Sequence, residues 1–228
     1  MPFQAWQECV SFPHMLGSLF SNPIEGVAWI VAFLAALTFH EFSHGLAAKL
    51  QGDDTAERAG RLTLNPLSHI DPIGFLLVLV AGFGWAKPVP YNPYNLRNQK
   101  WGPVIVAAAG PLANLLLFVI SGLTYRGLVA AGVPLSGSAL GAFLGALMGV
   151  NVVLFAFNLI PFPPLDGSKF LLLALQHPKY ARARWWIETR GPMALMLLVI
   201  GDSFLLNGLI FGTLIDLISG LAFRLIGL

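Results

Sequence analysis

The sequence predicts an all-α polytopic membrane protein, a helical bundle with a short β or re-entrant segment after the first crossing. Composition is the first reason: of 228 residues, 56% are hydrophobic and only 11% charged, where a soluble domain carries about 25% charged residues. The second is patterning. Mean hydropathy is +0.73, and several apolar runs reach the roughly 20 residues that cross a hydrocarbon core. A formal net charge of +2 argues for neither nucleic acid nor acidic partners. Cys9 is the single cysteine, which excludes intrachain disulfides and cysteine-based metal sites.

Residues 1–22 carry Glu8 and no basic start, so they do not resemble a cleaved signal peptide. Phe3, Trp6, Phe12, Leu16 and Phe20 make an amphipathic interfacial segment the expectation there. The first crossing is expected over Ile24–Leu50, opened by Asn22-Pro23 and stopped by Gln51-Gly52-Asp53-Asp54. Residues 59–64 alternate polar with apolar and read as a short strand. Residues 73–84 are apolar but too short to span comfortably. Arg58 and Arg61 precede that run, and Lys87, Arg97 and Lys100 follow it. The preference of cationic loops for the cytoplasmic side puts both flanks there and makes the run re-entrant, with a full crossing as the alternative.

A second crossing is expected over Val104–Leu123 and a third over Leu140–Ile160, followed by Lys169, Lys179, Arg182, Arg184 and Arg190 on the cytoplasmic side. The last apolar region, Met193–Leu228, is broken at Gly201-Asp202-Ser203 and Asn207-Gly208. It reads either as a helical hairpin or as one span preceded by an interfacial helix. Gly137, Gly141, Gly145 and Gly149 recur every fourth residue, a stripe that suggests close helix approach.

Chemistry concentrates at the end of the first crossing. His40 and His44 stand four residues apart, one helical turn, so both imidazoles share a face and can bind one Zn²⁺. Glu41 between them can serve as general base toward the metal's water. Ionisable groups in so apolar a helix are costly in lipid, and a functional role is their default explanation. A catalytic zinc needs three protein ligands and an open position. Asp166 is the candidate third: it follows Pro161, Pro163 and Pro164, which break the third crossing and free backbone beside a polar cavity. The same Asp would also suit a helix N-cap. His69 offers itself either as an outer partner of the metal or as a turn histidine paired with Asp71.

His40-Glu41-x-x-His44, Ala109-Gly110-Pro111-Leu112-Ala113-Asn114, and Asn158-x-x-Pro161 followed by Leu165-Asp166-Gly167 stand in that order in one apolar chain. Together they resemble the site-2 protease family of intramembrane zinc metalloproteases, over about Ile24 to Lys169. The resemblance implies a bundle around a buried zinc site with His40, His44 and Asp166 as ligands and Glu41 as catalytic base. It also suggests that Asn114 and Asn158 support the substrate backbone or the transition state; packing between helices is the equal alternative. PDZ and CBS domains of some relatives are absent, as in a minimal form. The whole of 1–228 then reads as one intramembrane metalloprotease domain, with an interfacial segment at 1–22, a catalytic core at 24–177 and C-terminal helices at 185–228.

The expected activity is hydrolysis of peptide bonds within or near transmembrane segments, with Zn²⁺ as cofactor. A transmembrane protein substrate and the bilayer are the partners, in a bacterial or archaeal cell membrane with the site toward the cytoplasm. A metal-binding transporter would show repeated sets of crossings, and a catalytically inactive scaffold would lose Glu41. The sequence shows neither feature.

Overall fold

The computed structural model describes residues 21–81, 84–206 and 208–227. The expected interfacial segment at 1–22 lies almost wholly outside them, with His14 and Cys9. The described helices are α1 (Pro23–Leu50), α2 (Thr55–Arg58), α3 (Pro72–Ala81), α4 (Gly102–Ala130), α5 (Ala139–Asn158), α6 (Ser168–Ala174), α7 (Ala181–Leu205) and α8 (Leu209–Leu225). α1, α4 and α5 are each long and apolar enough to cross a membrane, and α7 with α8, bent by 95° at their break, passes the same test as a pair. The chain is a multi-pass membrane protein.

α1, α4 and α5 pack on one another and form the centre. Trp29, Ala32, Phe33, Ala36 and Leu37 of α1 meet Ala146 and Val150 of α5 and Val78 of α3 in one apolar cluster. A second cluster joins Phe118 and Tyr125 of α4, Leu144, Met148 and Val152 of α5, and Phe223 of α8. The outward surface is apolar too. Leu112, Leu116, Ile120 and Leu123 of α4 are all exposed, at the i, i+3 and i, i+4 spacings of one helix face. Such a stripe on a span-length apolar helix suits contact with lipid.

The run at 73–84 turns back on itself. Helix α3 spans ten residues, about 15 Å at 1.5 Å per residue and half a hydrocarbon core. Beyond it the chain returns to the helix start. Ile70 and Ala86 form an antiparallel bridge, and the Lys87 N–H donates to the His69 carbonyl at 3.0 Å. A Cβ on Gly74 would stand 2.1 Å from the Trp85 carbonyl oxygen, so glycine is required where the returning strand of chain crosses. Both flanks therefore lie together, as the cationic residues around them require.

One expectation is corrected. Residues 59–64 form no strand, and the described residues contain only that one isolated bridge. Gly60 takes φ +65° and the Arg61 N–H returns to Ala56 O at 2.8 Å, so the chain closes α2 as a turn. The His69 ring then takes the Thr63 carbonyl at 2.8 Å, and no neighbouring strand is present to pair. Of the four glycines of the stripe, Gly137 precedes α5 at φ +71°, while Gly141, Gly145 and Gly149 are buried on α5; a Cβ at Gly141 would meet Leu135 O, from the loop before its own helix, at 2.0 Å.

Asp53 ties the end of α1 to the segment that follows the re-entrant run. It is fully buried and accepts from Thr55 Oγ1 at 2.5 Å, the Asn92 N–H at 2.6 Å and Asn95 Nδ2 at 2.9 Å. Burial alone would raise its pKa, but these donors outweigh it and hold the carboxyl below its ordinary value.

Candidate metal centre

His40 and His44 occupy the last three turns of α1, where the i, i+4 spacing stacks their rings edge to face with centroids 4.6 Å apart. Asp166 arrives from the loop between α5 and α6. α5 ends at Asn158, Pro161, Pro163 and Pro164 prevent its continuation, and the Gly167 N–H closes the loop on Asn158 O at 2.8 Å. A Cβ at Gly167 would lie 2.5 Å from Leu159 O and 2.6 Å from Ile160 O. Only glycine allows so tight a return, and the return places the Asp166 carboxylate over α1.

The three ligand atoms converge. His40 Nε2 lies 3.0 Å from His44 Nε2, and Asp166 Oδ2 lies 3.2 Å from the first and 3.3 Å from the second. Zn–N and Zn–O bonds of about 2.0–2.2 Å in tetrahedral geometry put neighbouring ligand atoms about 3.3–3.6 Å apart. The triangle is that of three zinc ligands, slightly contracted.

Proton placement strengthens the fit. His44 Nδ1 faces the Val106 carbonyl at 2.7 Å. A carbonyl only accepts, so Nδ1 carries the hydrogen and Nε2 a lone pair. His40 Nδ1 faces Asn114 Oδ1 at 2.6 Å, and an oxygen there puts the hydrogen on Nδ1 as well. Two imidazole lone pairs thus meet a buried carboxylate oxygen that has no hydrogen-bond partner. Three acceptors aimed at one point make a cation site, and two nitrogens with one carboxylate oxygen suit Zn²⁺.

Glu41 points elsewhere. It is buried, its Oε2 accepts the Val89 N–H at 3.0 Å, and it is not one of the three converging residues. Oε1 has no protein partner among the described residues, so a proton-accepting oxygen stays free. Val89 comes from the segment anchored by Asp53, so the loop following the re-entrant run orients the base. Tyr91, on the same segment, has its phenol pKa raised by burial and then by the Asp166 charge, so it stays protonated.

Asn114 is turned inward. It is fully buried, its oxygen is taken by His40, and its Nδ2 donates to Ala36 O at 3.2 Å and Asn151 Oδ1 at 2.8 Å. With every strong contact internal, its amide supports the histidine. Asn158 donates Nδ2 to Leu154 O at 3.0 Å and is only half-buried at the helix end. His69 joins neither the metal group nor Asp71, whose Oδ1 caps α3 through the Ile73 and Gly74 N–H groups. His177 is exposed and its Nδ1 accepts the Lys179 N–H.

Gly110 of α4 was visible in the sequence only as part of a motif. A Cβ there would stand 2.4 Å from His44 Nε2 and 2.7 Å from His40 Cε1. Helix backbone thus forms one wall of the site. Gly110→Ala is expected to displace the ring nitrogens that must meet the metal, at an overpacking cost of about 1–3 kcal/mol. Zinc affinity, measured against a competing chelator, should fall at least tenfold; an unchanged value would contradict this wall.

Comparison with known proteins agrees with the geometry. The profile of peptidase family M50 matches residues 127–199, which include the Asp166 loop. YwhC of Bacillus subtilis, named as a candidate zinc metalloprotease, is 41% identical over 145 residues, 62% of this chain and 66% of that protein. Rip2 of Mycolicibacterium smegmatis, named likewise, is 37% identical over 146 residues, 60% of this chain and 53% of the relative. MJ0611 of Methanocaldococcus jannaschii, also so named, is 30% identical over 148 residues, 62% of this chain and 68% of the relative. The matches to the first two thus span less than two thirds of those proteins. No solved structure matches the chain significantly.

Proposed function

The chain belongs to peptidase family M50, the site-2 protease family of zinc metalloproteases, and from this premise we propose that it hydrolyses peptide bonds within or near transmembrane segments of membrane proteins. One observation carries the reading. Three acceptors shaped for zinc, with a separately held carboxylate beside them, lie among the helices of a bundle whose outer face is apolar.

His40, His44 and Asp166 would hold the metal; a bound Zn²⁺ supplies Lewis acidity, lowering the pKa of water toward about 7 and polarising a carbonyl. The remaining work falls to the chain. Glu41 accepts the proton of the attacking water at its free Oε1 and later delivers it to the departing amine. The Val89 N–H keeps Oε2 engaged and the carboxylate aimed. The carbonyl of Val106 and the amide of Asn114 hold the imidazoles against rotation as charge develops. A substrate peptide bond must leave its helix to react, and in this reading Asn158, half-buried beside the proline loop, binds the backbone so exposed.

The test uses purified protein in detergent or liposomes with a labelled single-span peptide. Cleavage should map within or beside the apolar segment, stop on chelation and return with Zn²⁺. Cleavage that survives chelation, or metal uptake into liposomes without any cleavage, would favour another function.

A further inference from the structure

We propose that Asn151, on α5 and outside the metal's own ligands, is a positioning residue that sets which nitrogen of His40 is free to bind zinc. This rests on the assignment of His40 as a ligand and goes beyond it.

The two histidines reach the same tautomer by different means. His44 Nδ1 meets a main-chain carbonyl, Val106 O at 2.7 Å, which can only accept and leaves no choice. His40 Nδ1 meets a side-chain amide, Asn114 at 2.6 Å. An amide is ambivalent. Presenting its oxygen, it forces the hydrogen onto Nδ1 and leaves Nε2 a lone pair; presenting its NH₂, it takes the Nδ1 lone pair, puts the hydrogen on Nε2 and blocks the metal. Something must fix which end faces the ring.

Asn151 supplies that constraint. Its Nδ2 donates to the Leu147 carbonyl at 2.7 Å, so its NH₂ end is set by a group that cannot donate. Its Oδ1 therefore faces Asn114 and accepts from Asn114 Nδ2 at 2.8 Å. The Ala36 carbonyl adds a longer contact to the same NH₂ at 3.2 Å. Asn114 Oδ1 is left for His40. Turning either amide would bring donor against donor and acceptor against acceptor. Asn114 and Asn151 are both fully inaccessible to solvent, so no water repairs such a mismatch. The polarity of one carbonyl on α5 is thus passed through two amides to the imidazole on α1.

The chain of contacts also explains why a polar side chain sits at 151 on the buried side of α5, between Val150 and Val152. Interhelical packing alone would account for such an amide as about 1 kcal/mol of hydrogen bonding and would give it no effect on zinc.

The test compares wild-type protein with Asn151→Leu, Asn151→Ala and Asn151→Asp, reading zinc affinity by chelator competition and the thermal midpoint of the metal-free form. Losing an outer partner of a ligand typically costs 10–100-fold in metal affinity, and the Leu and Ala variants should fall in that range. Asp keeps an oxygen facing Asn114, and its protonated form can donate to Leu147 O. It should therefore stay within about threefold of wild type, the rescue that a tautomer role requires. Should Leu not fold, the Ala and Asp pair decides. Wild-type zinc affinity in the Ala or Leu variant, even with a lowered midpoint, would show a purely structural role and overturn the proposal. So would an Asp variant as weak as Ala. A wild-type protein that binds no zinc would instead remove the metal site itself.

Discussion

Glu41→Gln is expected to bind one zinc per chain and to fold as the wild type does, while cleaving a transmembrane peptide about 10²–10⁴-fold more slowly, the usual loss when a general base is removed. Glutamine keeps the size of the side chain. Its amide oxygen can still accept the Val89 N–H that Oε2 accepts at 3.0 Å, so the loop that orients this position stays in place. The zinc ligands are untouched, because the converging group is His40, His44 and Asp166. Only proton acceptance is lost. Zinc stoichiometry and cleavage, measured on the same preparation, check both halves. Near-normal cleavage by this variant would rule out the proposed mechanism.

Asp166→Ala should show the opposite pattern. It removes one of three protein ligands and leaves two imidazole lone pairs 3.0 Å apart without the carboxylate that completes the ligand set. Zinc affinity should fall by more than the 10–100-fold typical of losing an outer partner, and cleavage should vanish with the metal. The helices should survive. The loop is closed by the Gly167 N–H on Asn158 O at 2.8 Å and by the tight approach of Gly167 to Leu159 and Ile160, neither of which uses the carboxylate. A metal-free thermal midpoint near wild type, with zinc binding abolished, is the expected pair of readings. Wild-type zinc affinity would place the third ligand elsewhere.

Much of this site was legible in the sequence because its determinants are local. The i, i+4 spacing of His40 and His44 fixes a shared face whatever surrounds it, and three prolines before Asp166 must end a helix wherever it lies. That the two flanks of residues 73–84 lie together was expected from the positions of Arg58, Arg61 and Lys87, and the contact of Gly74 with Trp85 agrees. Partners set by packing were not legible. Val106 O, the Val89 N–H and Asn151 reach the site across 62, 48 and, through Asn114, 37 residues of chain, and two of the three are backbone groups that any residue type would supply. Asn151 carried a weak signal, a lone amide in the apolar run of α5. Asn114 was found with two readings open, substrate support or packing between helices; its contacts with His40, Ala36 and Asn151 are of the second, interhelical kind. The strand expected at 59–64 failed for the complementary reason, since alternation describes one edge and cannot supply the second.

The most direct measurement is X-ray absorption at the zinc edge of the zinc-loaded Glu41→Gln protein, which retains the metal without turnover. Two imidazole nitrogens and one carboxylate oxygen at about 2.0–2.2 Å, with one further light-atom ligand, are predicted, and the imidazole signal should be lost in step with zinc when His40 or His44 is replaced. A coordination shell without imidazole, or one unchanged by Asp166→Ala, would contradict the centre described above.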